Sequence, residues 1–284
     1  MATFTNQAQL SYNNSTASSN VAVGELVSVL SAEKTVLNPD YTNGDTITYI
    51  VNLVNTGDTA YTGLTLSDNL GAYQVGEPAV TVYPLSFSAN TIKYYTNGVL
   101  QTTPAVTGTQ PLTVTGISVP AKGNATIVYE TTANNFAPLA TGSSINNTAT
   151  ISGVGTTDLT ASATIAVADA PALNITKSIS PVPVSENGTL TYTFLIQNTG
   201  NAPADAADLV TLTDTFNPRL ANLSVTYNNA AWAQTNYSYD ETTGVFATTA
   251  GAITVPAATY TQNAQTGEWT IIPGTSTLVV SGTV

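Results

Sequence analysis

The chain has no cysteine and no histidine. Without cysteine there is no disulfide and no thiolate metal site. Without histidine there is no imidazole ligand and no Ser-His-Asp or Cys-His catalytic centre. Charge is scarce as well. Charged residues make up 8% of the 284, where ordinary globular chains carry about a quarter. Only five residues are basic, and the net charge is −12. A nucleic-acid footprint needs clustered Lys and Arg, so no nucleic-acid partner is expected. Binding to anionic lipid is excluded on the same ground. No stretch stays apolar for the length of a membrane span, so no membrane crossing is expected. The first residues, MATFTNQAQL, have neither the basic start nor the apolar run of a secretory leader. Export is expected after removal of a leader or by another route, such as lysis. Asp- and Asn-rich loops lack EF-hand spacing and read as solvated turns, so neither metal nor cofactor is expected. The acidic residues are scattered, and no enzymatic turnover is expected.

What is present points to an all-β chain. Apolar residues are 42% of the total, enough for a core in each of two ordinary domains. Short alternating runs recur: TITYIVNLV, LTLSDNL, NATIVYETT, TLTYTFLIQN, LVTLTDTF and STLVVSGTV. Twenty glycines and 14 prolines supply the turns between them. No long stretch keeps apolar residues at a helical period.

The runs form an internal repeat. Lys34 precedes Tyr49 by 15 residues, and Lys177 precedes Tyr192 by 15. Six residues after each Tyr stands Asn-Thr-Gly, at 55–57 and 198–200. LTLSDNL and VTLTDTF follow, carrying Asp68 and Asp214. The first copy continues through INNTATIS to Val167, while the second reaches Val284 without such a segment.

GDTITYIVNLVNTGD, LTLSDNL and INNTATIS in the first copy, with NGTLTYTFLIQNTGN and LTDTF in the second, resemble the bacterial conserved repeat domain of surface proteins, domain of unknown function eleven. The resemblance covers nearly the whole chain. It implies immunoglobulin-like sandwiches in cell-surface or fibre proteins, and it brings no enzymatic activity with it. The chain departs from the pattern where the second repeat lacks the NTATV-like segment.

A likeness of that segment stands at the N-terminus. Residues 145–167 read INNTATISGVGTTDLTASATIAV and residues 4–23 read FTNQAQLSYNNSTASSNVAV. Ile145, Asn147, Ala149 and Ile151 match Phe4, Asn6, Ala8 and Leu10. Residues 1–26 are therefore expected to be a donor-strand arm, 27–170 a complete domain, and 171–284 a second domain lacking its closing strands. The arm of a neighbouring copy would complete the second domain, with Phe4, Asn6, Ala8, Leu10, Val21 and Val23 as the donated residues. Folding back onto its own second domain would require crossing a sandwich of about 35 Å at ~3.3 Å per residue.

Residues i and i+2 of a strand share a face. Lys34 shares one with Leu30, Ala32 and Val36, and Lys177 with Leu173, Ile175 and Ile179. Asp68 and Asp214 likewise stand among apolar residues, as do Asn147 and Asn6. An unpaired buried charge costs on the order of several kcal/mol. One resolution is covalent. A buried lysine loses its proton, its neutral amine attacks the asparagine carbonyl, a buried aspartic acid shuttles protons, and ammonia leaves. This resembles the intramolecular isopeptide bonds of Gram-positive pilin and adhesin domains. Lys34 and Asn147 would join within one molecule with Asp68 as catalyst, and Lys177 and Asn6 between molecules with Asp214. A plain Lys–Asp ion pair and a lysine snorkelling at the rim remain open alternatives.

The function expected is the structural subunit of an extracellular filament on a cell or spore surface, a head-to-tail homopolymer. The alternative is an adhesin stalk whose insertion in the second domain binds a surface ligand through Trp232, Tyr237, Tyr239, Phe246, Tyr260 and Trp269.

Overall fold

The structure, a computed structural model, describes residues 2–26, 28–153 and 158–284. Val27, where the first domain was expected to begin, lies outside the described residues. Among those described there is no α-helix. The all-β, two-sandwich fold expected from the sequence is what the structure shows.

In the first domain one sheet runs Val99–Leu100, Lys93–Thr96, Gly123–Ala133, Thr46–Asn55, Leu30–Val36. The facing sheet runs Ala105–Thr109, Leu112–Val119, Tyr61–Asp68, Ser144–Ser152, Leu159–Val167, Asp40–Tyr41. Alternation decides which side chains enter the core. Ile47, Tyr49, Val51 and Leu53 point inward and are at most 1% exposed, with Leu64, Leu66 and Leu70 opposite them. Each such burial contributes about 1.5–3 kcal/mol.

In the second domain the large sheet runs Leu173–Ser180, Thr189–Asn198, Gly274–Thr283, Ala221–Tyr227, Ala230–Ala231. Three short strands, Thr213–Thr215, Val245–Thr248 and Tyr237–Asp240, form the second layer. The Asn-Thr-Gly repeat proves to be a loop lock. Asn55 Nδ2 donates to the carbonyls of Thr59 and Pro120, and its Oδ1 accepts from Gly57 N–H. Asn198 makes the same bonds to Ala202, Pro256 and Gly200. Equating Pro120 with Pro256 and Gly123 with Gly274 places the extra residues of the second domain between 257 and 273.

Those extra residues form a hairpin, Thr259–Gln262 with Trp269–Ile272, that lies on the first domain. Trp269 N–H donates to the Asn135 carbonyl at 2.8 Å, and Gln262 Nε2 to the Tyr73 hydroxyl at 2.9 Å.

Two hairpins set up the rest. Ser144–Ser152 and Leu159–Val167 pair in one register, from Ser144 opposite Ala166 to Ile151 opposite Leu159. This closing hairpin pairs with the Asp68 strand, Ala149 opposite Asp68, and its return strand packs over the Lys34 strand. The arm forms a second hairpin, Ala2–Asn6 with Ala22–Leu26, continued by Gln9–Tyr12 with Ser15–Ser18. Its residues from Thr3 to Val23 are exposed.

The arm hairpin also corrects the donated set. The arm was expected to resemble the closing strands, and it folds back on itself as they do, so its apolar residues divide between two faces. Asn6 stands opposite Ala22, as Asn147 stands opposite Ala163. Val23 pairs with Thr5, so it lies on the face opposite to Phe4 and Asn6. Superposing Asn6 and Ala22 on Asn147 and Ala163 matches Val23 to Thr164, which is solvent-facing in the closing hairpin. Sequence likeness did not distinguish the two faces, because a two-stranded element carries apolar residues on either side of its turn.

Candidate functional site

Lys34, Asp68 and Asn147 converge in the core of the first domain. Lys34 comes from one sheet, Asp68 and Asn147 from the other. Lys34 Nζ lies 2.5 Å from Asp68 Oδ2, and both side chains are 0% exposed. Asp68 Oδ1 accepts from the Leu70 N–H at 2.9 Å. The lysine therefore does not snorkel at a rim, and that alternative falls for this domain. Its Nζ stands 4.5 Å from the centre of the Tyr49 ring. Burial pushes the Lys34 ammonium down to about 8, against the opposing charge and hydrogen bond of Asp68.

Asn147 is fully buried, two residues from Ala149 and on the same face. Neither Oδ1 nor Nδ2 has a hydrogen-bond partner. A buried amide that makes no hydrogen bond is expensive. It adjoins the Tyr49 and Tyr129 hydroxyls, which burial raises well above the usual tyrosine range and the amide pulls back in part. Tyr129 also donates to Asp68 Oδ2 in a short hydrogen bond. The core thus holds a buried lysine–aspartate ion pair, with the lysine's proton loosened by burial, together with a buried amide that has no hydrogen-bond partner.

Tyr49 and Tyr129 stand opposite each other on adjacent strands, as a cross-strand pair. They stack at 5.8 Å between ring centres, but their hydroxyls belong to the site. The signal available was the fixed spacing of Tyr49 from Lys34.

In the second domain Lys177 pairs with Asp214 Oδ2 in a short ion pair, and Nζ lies 4.5 Å from the Tyr192 ring centre. The geometry repeats, but the cover does not. The Lys177 side chain is 40% exposed and Asp214 19%. Leu173, Ile175 and Ile179 on the same strand are 40%, 49% and 45% exposed, where Leu30 is 4%. The strand Thr213–Thr215 pairs on one side only, with Val245–Thr248. An apolar groove of about 370 Å³ lined by Leu173, Ile175, Ile196, Val210, Leu212 and Ile253 runs there. The corresponding place in the first domain holds Ile151 of the closing hairpin, opposite Leu66. Asn6 is not brought to Lys177 within one molecule; it stands exposed on the arm.

No family model matches this chain, and no curated protein does. Solved structures do. The chain is similar to BcpA, the major pilin subunit of Bacillus cereus, at 11% identity and a TM-score of 0.37, over 96% of this chain and 73% of that one. It is similar to the pilus backbone RrgB from Streptococcus pneumoniae at 11% identity and a TM-score of 0.35, over 86% of this chain and 55% of that one. The 35 kDa C-terminal fragment of the major pilin GBS80 of Streptococcus agalactiae aligns at 11% identity and a TM-score of 0.34, over 86% and 79%. The chain spans just over half of RrgB.

The aromatic residues offered as a ligand site do not form one surface. Trp232 stacks between Tyr227 and Tyr237, and Tyr237 stacks on the fully buried Phe246. Tyr239 packs on Phe216. Tyr260 and Trp269 belong to the hairpin that lies on the first domain.

Proposed function

We propose that this chain is the structural subunit of an extracellular, surface-borne filament. Copies join head to tail: the arm hairpin of one fills the open face of the second domain of the next. The observation that carries this reading is the match between the two hairpins, each with its Asn opposite an Ala, one docked and one exposed. The Lys177 strand lacks the cover that the Lys34 strand has, and the arm has the pattern of that cover. Adding a strand to an open edge satisfies its backbone groups and removes an aggregation-prone surface. Covalent locking is part of the same reading: Lys34 bonds to Asn147 within a copy, and Lys177 to Asn6 of the neighbour, each with loss of ammonia. Packing of the aromatic residues of the insertion gives the ligand-binding stalk no comparable support.

The test is negative-stain microscopy with gel filtration on the full chain and on a chain lacking residues 1–26. The full chain should form fibres, and the truncated one should stay monomeric with both domains folded. Fibres from the truncated chain would sink the reading.

A further inference from the structure

Asp68 Oδ2 takes two donors, Lys34 Nζ at 2.5 Å and the Tyr129 hydroxyl. Asp68 Oδ1 is already occupied by the Leu70 N–H. Tyr129 is fully buried and held by its cross-strand neighbour Tyr49. Its hydroxyl adjoins the Asn147 amide, and both polar atoms of that amide lack a partner. One hydroxyl thus binds the acid in the same core that holds the partnerless amide.

The second domain repeats the lysine, the aspartate and the first tyrosine of this site, but within one molecule it has neither the asparagine nor that hydroxyl. Tyr192 holds the place of Tyr49, but the residue opposite it is Val280, where Tyr129 stands opposite Tyr49. Among the described residues, the side chain of Asp214 meets Lys177 Nζ and the Thr215 N–H. Tyr129 is therefore not needed to seat a lysine–aspartate pair in this fold. Some other demand places it in the first domain.

We propose that Tyr129 is a positioning residue of the Lys34–Asn147 cross-link, bridging Asp68 to the asparagine amide, and that Val280 leaves the Lys177 site intrinsically slower. The inference rests on the cross-link reading above. The sequence of events balances as follows. Lys34 Nζ gives one proton to Asp68 Oδ2, leaving a neutral amine and a neutral acid. The Nζ lone pair forms the bond to Asn147 Cγ, and the carbonyl π electrons move onto Oδ1. Tyr129 accepts from the new Asp68 O–H and turns its own proton toward that oxygen. As the carbonyl re-forms, the bond from Cγ to Nδ2 breaks. Asp68 passes its proton to Nδ2 and recovers one from Nζ. Ammonia departs, and one N–H remains on the new amide. Removing a single donor to a developing oxyanion slows such steps about 100- to 1,000-fold.

An experiment on the full chain separates this role from simple packing. Intact mass is followed from the end of a cell-free synthesis pulse for the wild type and Tyr129→Phe, which keeps the ring. Asn147→Ala, alone and with Tyr129→Phe, reports by its melting curve how much folding the hydroxyl supports when no bond can form. The wild type should lose one ammonia promptly, and Tyr129→Phe should lose it about 100-fold more slowly or worse while folded. A slowing no larger than the unfolded fraction seen in the Asn147→Ala background would overturn the role, as would an unslowed Tyr129→Phe. A wild type that keeps its full mass would sink the cross-link reading itself, and this inference with it.

Discussion

Asn6 and Asn147 hold the same place in two hairpins. Each stands opposite an alanine, Ala22 and Ala163, and each follows a large apolar residue by two positions. One is sealed in a core beside an aspartate; the other is exposed, and the face it would complete lies on the far domain of the chain.

The Lys34–Asn147 bond is expected in every monomer, arm or no arm. Intact mass should fall short of the sequence mass by one ammonia. Asp68→Ala should restore the full mass. It should also destabilise the domain by about 3–5 kcal/mol, because the lysine loses its partner in the core.

The pH dependence of stability should reveal whether Lys34 is free. In Asn147→Ala the lysine stays an amine. Its folded value of about 8 lies below the ordinary lysine value of 10.5, so the unfolded chain binds the extra proton between these pH values. Stability is penalised below pH 8 and recovers as pH rises toward 10.5. The variant should gain stability between about pH 8 and 9.5 relative to the wild type, whose acylated lysine does not titrate. Tyr49 and Tyr129, raised by burial above their ordinary range, stay protonated in both folded proteins over this window and do not distinguish them. Parallel melting curves for the two across this range would show that the lysine is not acylated in the wild type.

Boiling in detergent separates docking from bonding. Wild-type fibres should give a ladder of covalent multimers. Asn6→Ala should still assemble but dissolve to monomers on boiling. A ladder that persists in Asn6→Ala would assign the cross-link to other residues.

The face of the arm is testable residue by residue. Phe4→Ser and Leu10→Ser should weaken assembly, each removing an apolar side chain worth about 1.5–3 kcal/mol when buried. Val23→Ser should assemble as the wild type does, because Val23 pairs with Thr5 on the outer face. Fibre yield against protein concentration measures this; a Val23→Ser defect as large as that of Leu10→Ser would reverse the assigned face.

Much of this was legible in the residues. Period-two alternation with Gly and Pro punctuation dictates strands, and repeat spacing puts Lys34 and Lys177, and Asp68 and Asp214, at equal places. Inward faces follow from i, i+2 geometry alone, which is why Lys34, Asp68 and Asn147 could be grouped before any contact was seen. Three things lay beyond that arithmetic. The pairing partner of a strand is set by the turn and by register, so the arm's hairpin and the outward face of Val23 needed coordinates. Trp269 and Tyr260 look alike in sequence whether they pack on a neighbouring domain or meet a ligand. The hydroxyl of Tyr129 meets Asp68 only because two sheets stack at a particular offset.

By itself, then, the amino-acid order determined the strands, their faces and the repeated lysine and aspartate, because these depend on residues near in sequence and on a fixed period of two. Only the tertiary structure decided which of the two lysines is sealed. Burial depends on which hairpin covers a strand, and that is a contact between segments far apart in the chain, present over Lys34 and missing over Lys177.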